Sequence, residues 1–297
     1  MMPRRFRAEL ALAGVTLIWG TTFVMVKAAL TEISTFLYLA IRFSLAAIVL
    51  AFVYRRAFAR NSLAPGLLAG GLLFTAYFFQ TFGLKLTTPS KSAFLTGLSI
   101  PMVPLASSLV YKIRPRLVEI AGILIASTGM MLMTLTSASL RLGMSRGDVL
   151  SFLCAVVFAL HIVVIGHYSP IVGFESLSVI QISVVAVAGL ILSTFAEPLR
   201  FHWTPAVAAT LVATGLLATA LAFTTQAWAQ QYTSPTRAAL IFALEPVAAW
   251  MTSYASTGES LANRGKVGSG MILAGILLAE FAGNRRGSET NGVKVSS

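Results

Sequence analysis

Residues 224–251 read TTQAWAQQYTSPTRAALIFALEPVAAWM, and the fold turns on how that stretch is understood. An apolar run enters a polar turn and a second apolar run follows directly. Glu245 and Pro246 stand in the middle of that second run. A carboxylate at membrane depth costs about 2.5–3.5 kcal/mol on insertion scales. Proline removes a backbone donor and opens the helix one turn back, which leaves the Phe242 carbonyl without its usual partner. Such residues persist where neighbouring helices or a wet cavity accept them. Two readings stand side by side: a buried kink holding a neutral acid, or an acid placed for function.

The rest of the chain settles the class. Of 297 residues, 57% are hydrophobic and 11% charged, whereas soluble domains carry about 25% charged residues. That is too little charge to cover a water-facing surface, so the chain is expected to be an all-α membrane protein. At about 20 apolar residues per span plus a short loop, its length holds about ten transmembrane helices.

The net charge of +12 is not a nucleic-acid signature. Cations form short clusters between apolar runs: Arg4, Arg5 and Arg7; Arg55, Arg56 and Arg60; Lys112, Arg114 and Arg116; Arg285 and Arg286. That distribution is topogenic, and it places both termini in the cytoplasm. The first half carries most of the signal. Arg4–Arg7 resembles the start of a signal peptide, but the apolar run from Ala8 to Leu30 is too long for one. A retained first helix is expected. The single cysteine, Cys154, excludes an internal disulfide and a thiolate metal cluster.

The expected spans are 8–30, 35–54, 63–86, 91–111, 117–136, 148–168, 175–195, 206–231, 236–256 and 267–283. Segment 1–7 reads as a cytoplasmic lead and 284–297 as a polar, disordered cytoplasmic tail. Sliding the chain along itself brings out a repeat. A shift of 139 lays Trp19–Lys27 on Phe158–Gly166 and Arg42 on Gln181. A shift of 145 pairs Phe78 with Phe223, Thr88 with Thr233, Ala93 with Ala238, Leu95 with Leu240 and Pro101 with Pro246. A shift of 146 pairs Gly122 with Gly268 and Gly129 with Gly275. The halves are then 8–137 and 148–283. Five helices per repeat is an odd number, so two such copies lie inverted in the bilayer. Inverted repeats with proline-interrupted helices at matching positions point to a transporter whose site lies between the halves.

These residues carry a family resemblance. WGTTFVMVK at 19–27, AIRFSLAA at 40–47, TTPSKSAFLTG at 87–97, QYTSPTRAALIFALEPVAA at 231–249, Gly258-Glu259 and GMILAGILL at 270–278 resemble the EamA-like branch of the drug/metabolite transporter superfamily. The likeness covers residues 8–283. It implies ten helices in two inverted five-helix bundles, alternating access to a central cavity, and efflux of amino acids or other small metabolites across the inner membrane. One departure stands out: Pro101 has no acid before it, whereas Pro246 follows Glu245. A symmetric proton-coupling scheme does not fit that difference.

Several side chains are candidates for the site. Trp19 lies too deep for an interfacial belt and is expected on a pocket wall. Gly20 permits close backbone approach, and the hydroxyls of Thr21 and Thr22 point either back to the helix or into a cavity. Tyr77, Gln80 and Thr96 join them from the first half. Gln226 and Gln230, four apart, share a helical face that must turn inward, as glue between helices or as contacts to a zwitterionic or hydroxylated ligand. His161 aligns with Thr22, and a packing role is as well supported as a cavity role. Cys154 and His161 are about 10 Å apart along one helix, too far for a nucleophile pair. Arg42 reads as one member of a structural charge pair, with Glu245 its candidate acid, and Lys27 as snorkelling outward. Arg237 is a poor partner for Glu245, lying about 12 Å away along the same helix.

Enzyme signatures are missing from the sequence, among them H-E-x-x-H, G-x-S-x-G and a glycine-rich phosphate loop. The only aspartate, Asp148, sits at a helix start where it would cap. A secondary transporter of small metabolites is therefore expected, with no cofactor and no metal. Its partners would be the metabolite and the lipid bilayer, with no nucleic acid; a homodimer is left open. The rivals are a membrane-embedded transferase using Glu245 and His161, and a scaffold that transports nothing.

Overall fold

The computed structural model describes residues 3–87, 89–112, 115–134, 145–257 and 262–292. They fold as helices throughout, the one isolated β-bridge joining Ile33 to Phe201. In chain order these are α1 (Arg4–Glu32), α2 (Thr35–Val53), α3 (Leu63–Leu86), α4 (Pro89–Gly97), α5 (Ser99–Tyr111), α6 (Leu117–Thr134), α7 (Arg146–Val172) and α8 (Phe174–Ser193). Next come α9 (Pro205–Val212), a π-helical stretch (Ala213–Leu221) and α10 (Ala222–Ala229), forming one rod. Then follow α11 (Pro235–Phe242), α12 (Glu245–Thr257) and α13 (Asn263–Gly292).

Local chemistry sets the starts. Ser145 and Asp148 form a reciprocal capping box at α7, the Ser145 N–H reaching Asp148 Oδ2 at 2.8 Å. Thr204 and Ser234 accept from backbone N–H groups at the starts of α9 and α11, each followed by a proline in the first turn. Such caps are worth about 1 kcal/mol each. Gly173, at φ +82°, makes the sharp turn between α7 and α8.

Among the described residues, seven helices are long and apolar enough to cross a membrane, and a pair bent by 43° within α1 makes an eighth. The outer surface agrees with lipid as the solvent: Leu109 and Leu117 are 83% and 85% exposed. Phe52, Phe195 and Leu105 face outward beside them. The expected ninth span does not form one rod: it is split into α11 and α12, of 8 and 13 residues. The expected tail also differs, because α13 runs on to Gly292, past Asn284. Residues 293–297, Thr88, Gly258, Glu259 and the link at 135–144 lie outside the described residues.

Helix contacts come in matching sets. α3 packs along α7, while α1 packs along the α9–α10 rod. α4 and α5 also lean on α7, as α11 and α12 lean on α1. α2 crosses α8, and α6 crosses α13. The last crossing is set by glycine. A methyl group at Gly122 would meet the Gly275 carbonyl oxygen at 2.6 Å, and one at Gly129 would meet that of Gly268 at 2.5 Å. Only the absence of a side chain lets these backbones come so close.

Two breaks also match. Helix α4 gives way to α5 at Leu98, whose N–H bonds Leu95 at 3.2 Å; α11 ends where the Ala243 N–H bonds Leu240 at 3.1 Å. Each break lies three residues before a proline, Pro101 or Pro246. At the second break the Leu244 N–H also turns back to Ile241. The ladder therefore tightens to i→i+3 bonding over two residues, in addition to the Phe242 bond that Pro246 cannot supply.

A candidate polar site at the broken helix

The break before Pro246 places Glu245 against α1. A methyl on Gly20 would lie 2.7 Å from the Glu245 carbonyl oxygen and 2.9 Å from the Ala249 nitrogen. The Trp19-Gly20 step is thus the seat of the Glu245-Pro246 step. Glu245 is part-buried, and its carboxylate hydrogen-bonds no other described group. Tyr77 and Cys154 lie within its electrostatic reach.

Phe223 is the hub beside it. Its ring centroid lies 5.3 Å from Trp19, 6.1 Å from Tyr77 and 6.0 Å from His161. Trp19 also packs against Phe242 at a tilt, centroids 5.2 Å apart, and its Nε1–H donates to the Ala218 carbonyl at 2.9 Å. That carbonyl belongs to the π-helical stretch, whose wider turn leaves backbone acceptors free for side chains.

Around this aromatic cluster lie half-satisfied polar groups. Gln226 Nε2 donates to Gln230 Oε1 at 3.1 Å, and Gln230 Nε2 donates to the Ile162 carbonyl at 2.9 Å. His161 Nε2 meets Gln181 Oε1 at 2.8 Å, so the pair joins α7 to α8. Gln226 Oε1, His161 Nδ1, Gln181 Nε2 and Thr224 Oγ1 are buried with no partner. Each unmet group of this kind costs about 1–3 kcal/mol. With Ser178 Oγ they make five such atoms on α7, α8 and α10; the other four recorded among the described residues, on Ser34, Ser44, Ser107 and Ser127, lie outside these three helices.

Other candidates are placed differently. Thr22 hydrogen-bonds the Trp19 carbonyl at 2.8 Å and Thr21 that of Ile18 at 2.7 Å, so both hydroxyls serve their own helix. Thr96 reaches only the Cys154 sulfur, at 4.0 Å, and the thiol and His161 do not pair. Gln80 is part-buried on α3 with no hydrogen bond to a described residue. Lys27 does not snorkel: its Nζ donates to the Leu84 and Thr87 carbonyls and closes the end of α3.

Arg42 overturns the expected charge pair. It is buried, 4% exposed, and its partners are hydroxyls: Thr219 Oγ1 at 2.8 Å from Nε and Tyr77 Oη at 3.1 Å from Nη2. The guanidinium also lies over the Tyr77 ring at 4.8 Å. Tyr38, one turn before Arg42, donates to Thr214 at 3.1 Å. The sequence reading passed over Tyr38, Thr214 and Thr219. Their signal was the four-residue spacing of Tyr38 and Arg42, on one helical face.

A second polar cluster joins three helix starts at one end of the molecule. Arg237 of α11 reaches Glu119 of α6 at 3.1 Å and Glu9 of α1 at 3.5 Å. Glu9 further accepts from Arg5 at 2.8 Å and from Thr233 at 3.1 Å. Arg237 is therefore engaged well away from Glu245, as its position along the helix required. Among the described residues no group of three or more His, Cys, Asp or Glu stands ready to hold a metal.

The model of the EamA-like transporter family matches the chain twice, over residues 6–135 and 145–281. The chain belongs to the EamA-like transporter family. Two relatives from Archaeoglobus fulgidus, both described as an uncharacterized transporter, share 32% identity over 279 residues and 25% over 284. The alignments cover 94% and 92% of this chain, and 87% and 96% of the relatives. A solved structure titled only as a crystal structure of a protein has the same fold, with a TM-score of 0.78 at 20% identity, covering 94% of this chain and 98% of that one. This family member is thus a multi-pass membrane protein.

Proposed function

We propose that the protein is a secondary transporter that exports small organic metabolites, such as amino acids, across a cytoplasmic membrane. Its ten spans form two inverted five-helix repeats, and alternating access carries the solute past a site between them. The matching helix contacts, the paired breaks before Pro101 and Pro246, and the glycine crossing of α6 and α13 support the inversion.

The observation that carries the reading is Glu245. A part-buried acid with no cation beside it among the described residues sits at a helix break, its backbone directly on the Trp19-Gly20 step of the other half. An acid held only for packing would be paired or sealed. One that meets a changing cavity can take a proton on one side and release it on the other. Trp19, Tyr77, His161, Gln226 and Gln230 supply the walls of the same site.

The relatives described as transporters favour this reading over a transferase or a scaffold. The test is counterflow: purified protein in liposomes, preloaded with an unlabelled amino-acid mixture, is diluted into labelled amino acids. Labelled solute should accumulate transiently above protein-free liposomes. No accumulation of any labelled amino acid or of a wider metabolite panel would refute the transporter reading.

A further inference from the structure

Arg42 poses a problem of charge. It sits seven residues into α2, about 10 Å from the helix start, and arginine stays protonated in proteins. Hydroxyls orient a guanidinium but neutralise nothing. The carboxylates whose side chains are described are engaged elsewhere: Glu9 and Glu119 with Arg237, Glu32 with His202, Glu197 with Lys85 and Asp148 at the α7 cap. Glu175 opens α8, where it acts on Tyr54; Glu245 lies within electrostatic reach of Tyr77 but makes no ion pair with Arg42 or any other described residue. A buried cation left in this state favours any anion that can reach it.

The geometry around it is that of an anion seat. Arg42 Nε donates to Thr219 and Nη2 to Tyr77, and the Tyr38 hydroxyl also lies within hydrogen-bonding reach of the guanidinium. The Tyr77 hydroxyl accepts from Arg42, and its own proton has no acceptor among the described residues. The Tyr77 O–H and the guanidinium N–H groups beyond those three hydroxyl contacts thus meet at one point, held in place by the ring contacts of Tyr77 with Phe43 and Phe158. Tyr77 further packs on Phe223, and through it on Trp19, so the seat borders the aromatic wall of the proposed site.

We propose that Arg42, with the Tyr77 hydroxyl, binds the carboxylate of the transported solute, so that the substrates are carboxylate-bearing small molecules. This rests on the reading that the site lies between the two halves. A planar guanidinium and a carboxylate match in shape, and the pair is charge-assisted. Solute binding would therefore supply the counter-charge that the protein itself withholds.

The test is a binding measurement on the purified full chain in detergent. A graded series of monocarboxylates from acetate to 3-phenylpropionate is titrated, each beside its neutral amide of the same shape. For at least one pair the acid should bind roughly tenfold or more tightly than the amide. Arg42→Gln should bring that ratio close to one while amide binding stays within about twofold. Should Arg42→Gln fail to fold, Tyr77→Phe, which removes only the hydroxyl, should lower the ratio several-fold. If no acid is preferred to its amide, or if the preference survives in a folded Arg42→Gln or in Tyr77→Phe, the proposal is wrong. Binding is read without transport. A carboxylate preference without counterflow would sink the transporter reading alone, and counterflow that treats acids and amides alike would sink this inference alone.

Discussion

At the scale of the residue, the site is a matter of which polar groups are left unmet. Gln226 and Gln230 were legible as an inward face from their spacing of four. Their bond to each other, which leaves Gln226 Oε1 unpartnered, was not, because it depends on α7 supplying the Ile162 carbonyl. Arg42 was legible as buried, yet its partners come from α3 and the π-helical stretch, far away in sequence. Thr22 pointed two ways in the sequence, and only the coordinates show its hydroxyl bonded within α1. Gln226→Leu separates ligand contact from packing. It keeps roughly the size of the side chain and removes one amide whose acceptor is already unmatched in the structure. Counterflow should fall by about tenfold, the worth of a lost hydrogen bond of around 1.4 kcal/mol, with membrane abundance near wild type. Protein that disappears from the membrane at normal specific activity would make Gln226 structural glue instead.

At the scale of the element, punctuation in the sequence was read well and its extent was not. Pro246 announced a broken helix, and the repeat register paired it with Pro101. The break is nonetheless wider than one missing hydrogen bond, because the turn tightens over Ala243 and Leu244 before α12 resumes. The π-helical stretch at Ala213–Leu221 carried no such mark, since no proline or charge interrupts it. Its cause is tertiary: Gly215 lies against the Arg42 carbonyl, and Trp19 and Arg42 draw on Ala218 and Thr219. The glycine pairs were visible as repeats, Gly122 with Gly268 and Gly129 with Gly275. Their contacts run crosswise instead, Gly122 to Gly275 and Gly129 to Gly268. Crosswise contact is what two equivalent helices show when they meet about a shared axis, and a register comparison alone cannot tell it from lengthwise alignment.

At the scale of the molecule, composition settled the membrane and left the orientation to charge. Arg5, Glu9, Glu119 and Arg237 gather where α1, α6 and α11 begin, so three helix starts share one end. With the basic clusters of the first half at that end, the orientation we propose puts both termini on the cytoplasmic side. A reporter that works only outside the cell, fused after Ser297, should stay silent; strong activity would reverse the orientation. The central claim is that Glu245, which pairs with none of the described residues and lies on the Trp19-Gly20 step, couples the solute to a proton. Glu245→Gln keeps its shape and removes its titration. The decisive measurement is solute flux through liposomes with and without an imposed pH gradient, wild type beside the variant. Wild-type flux should change several-fold when the gradient is applied and that of Glu245→Gln should not; a variant that still answers the gradient as wild type does would contradict the claim.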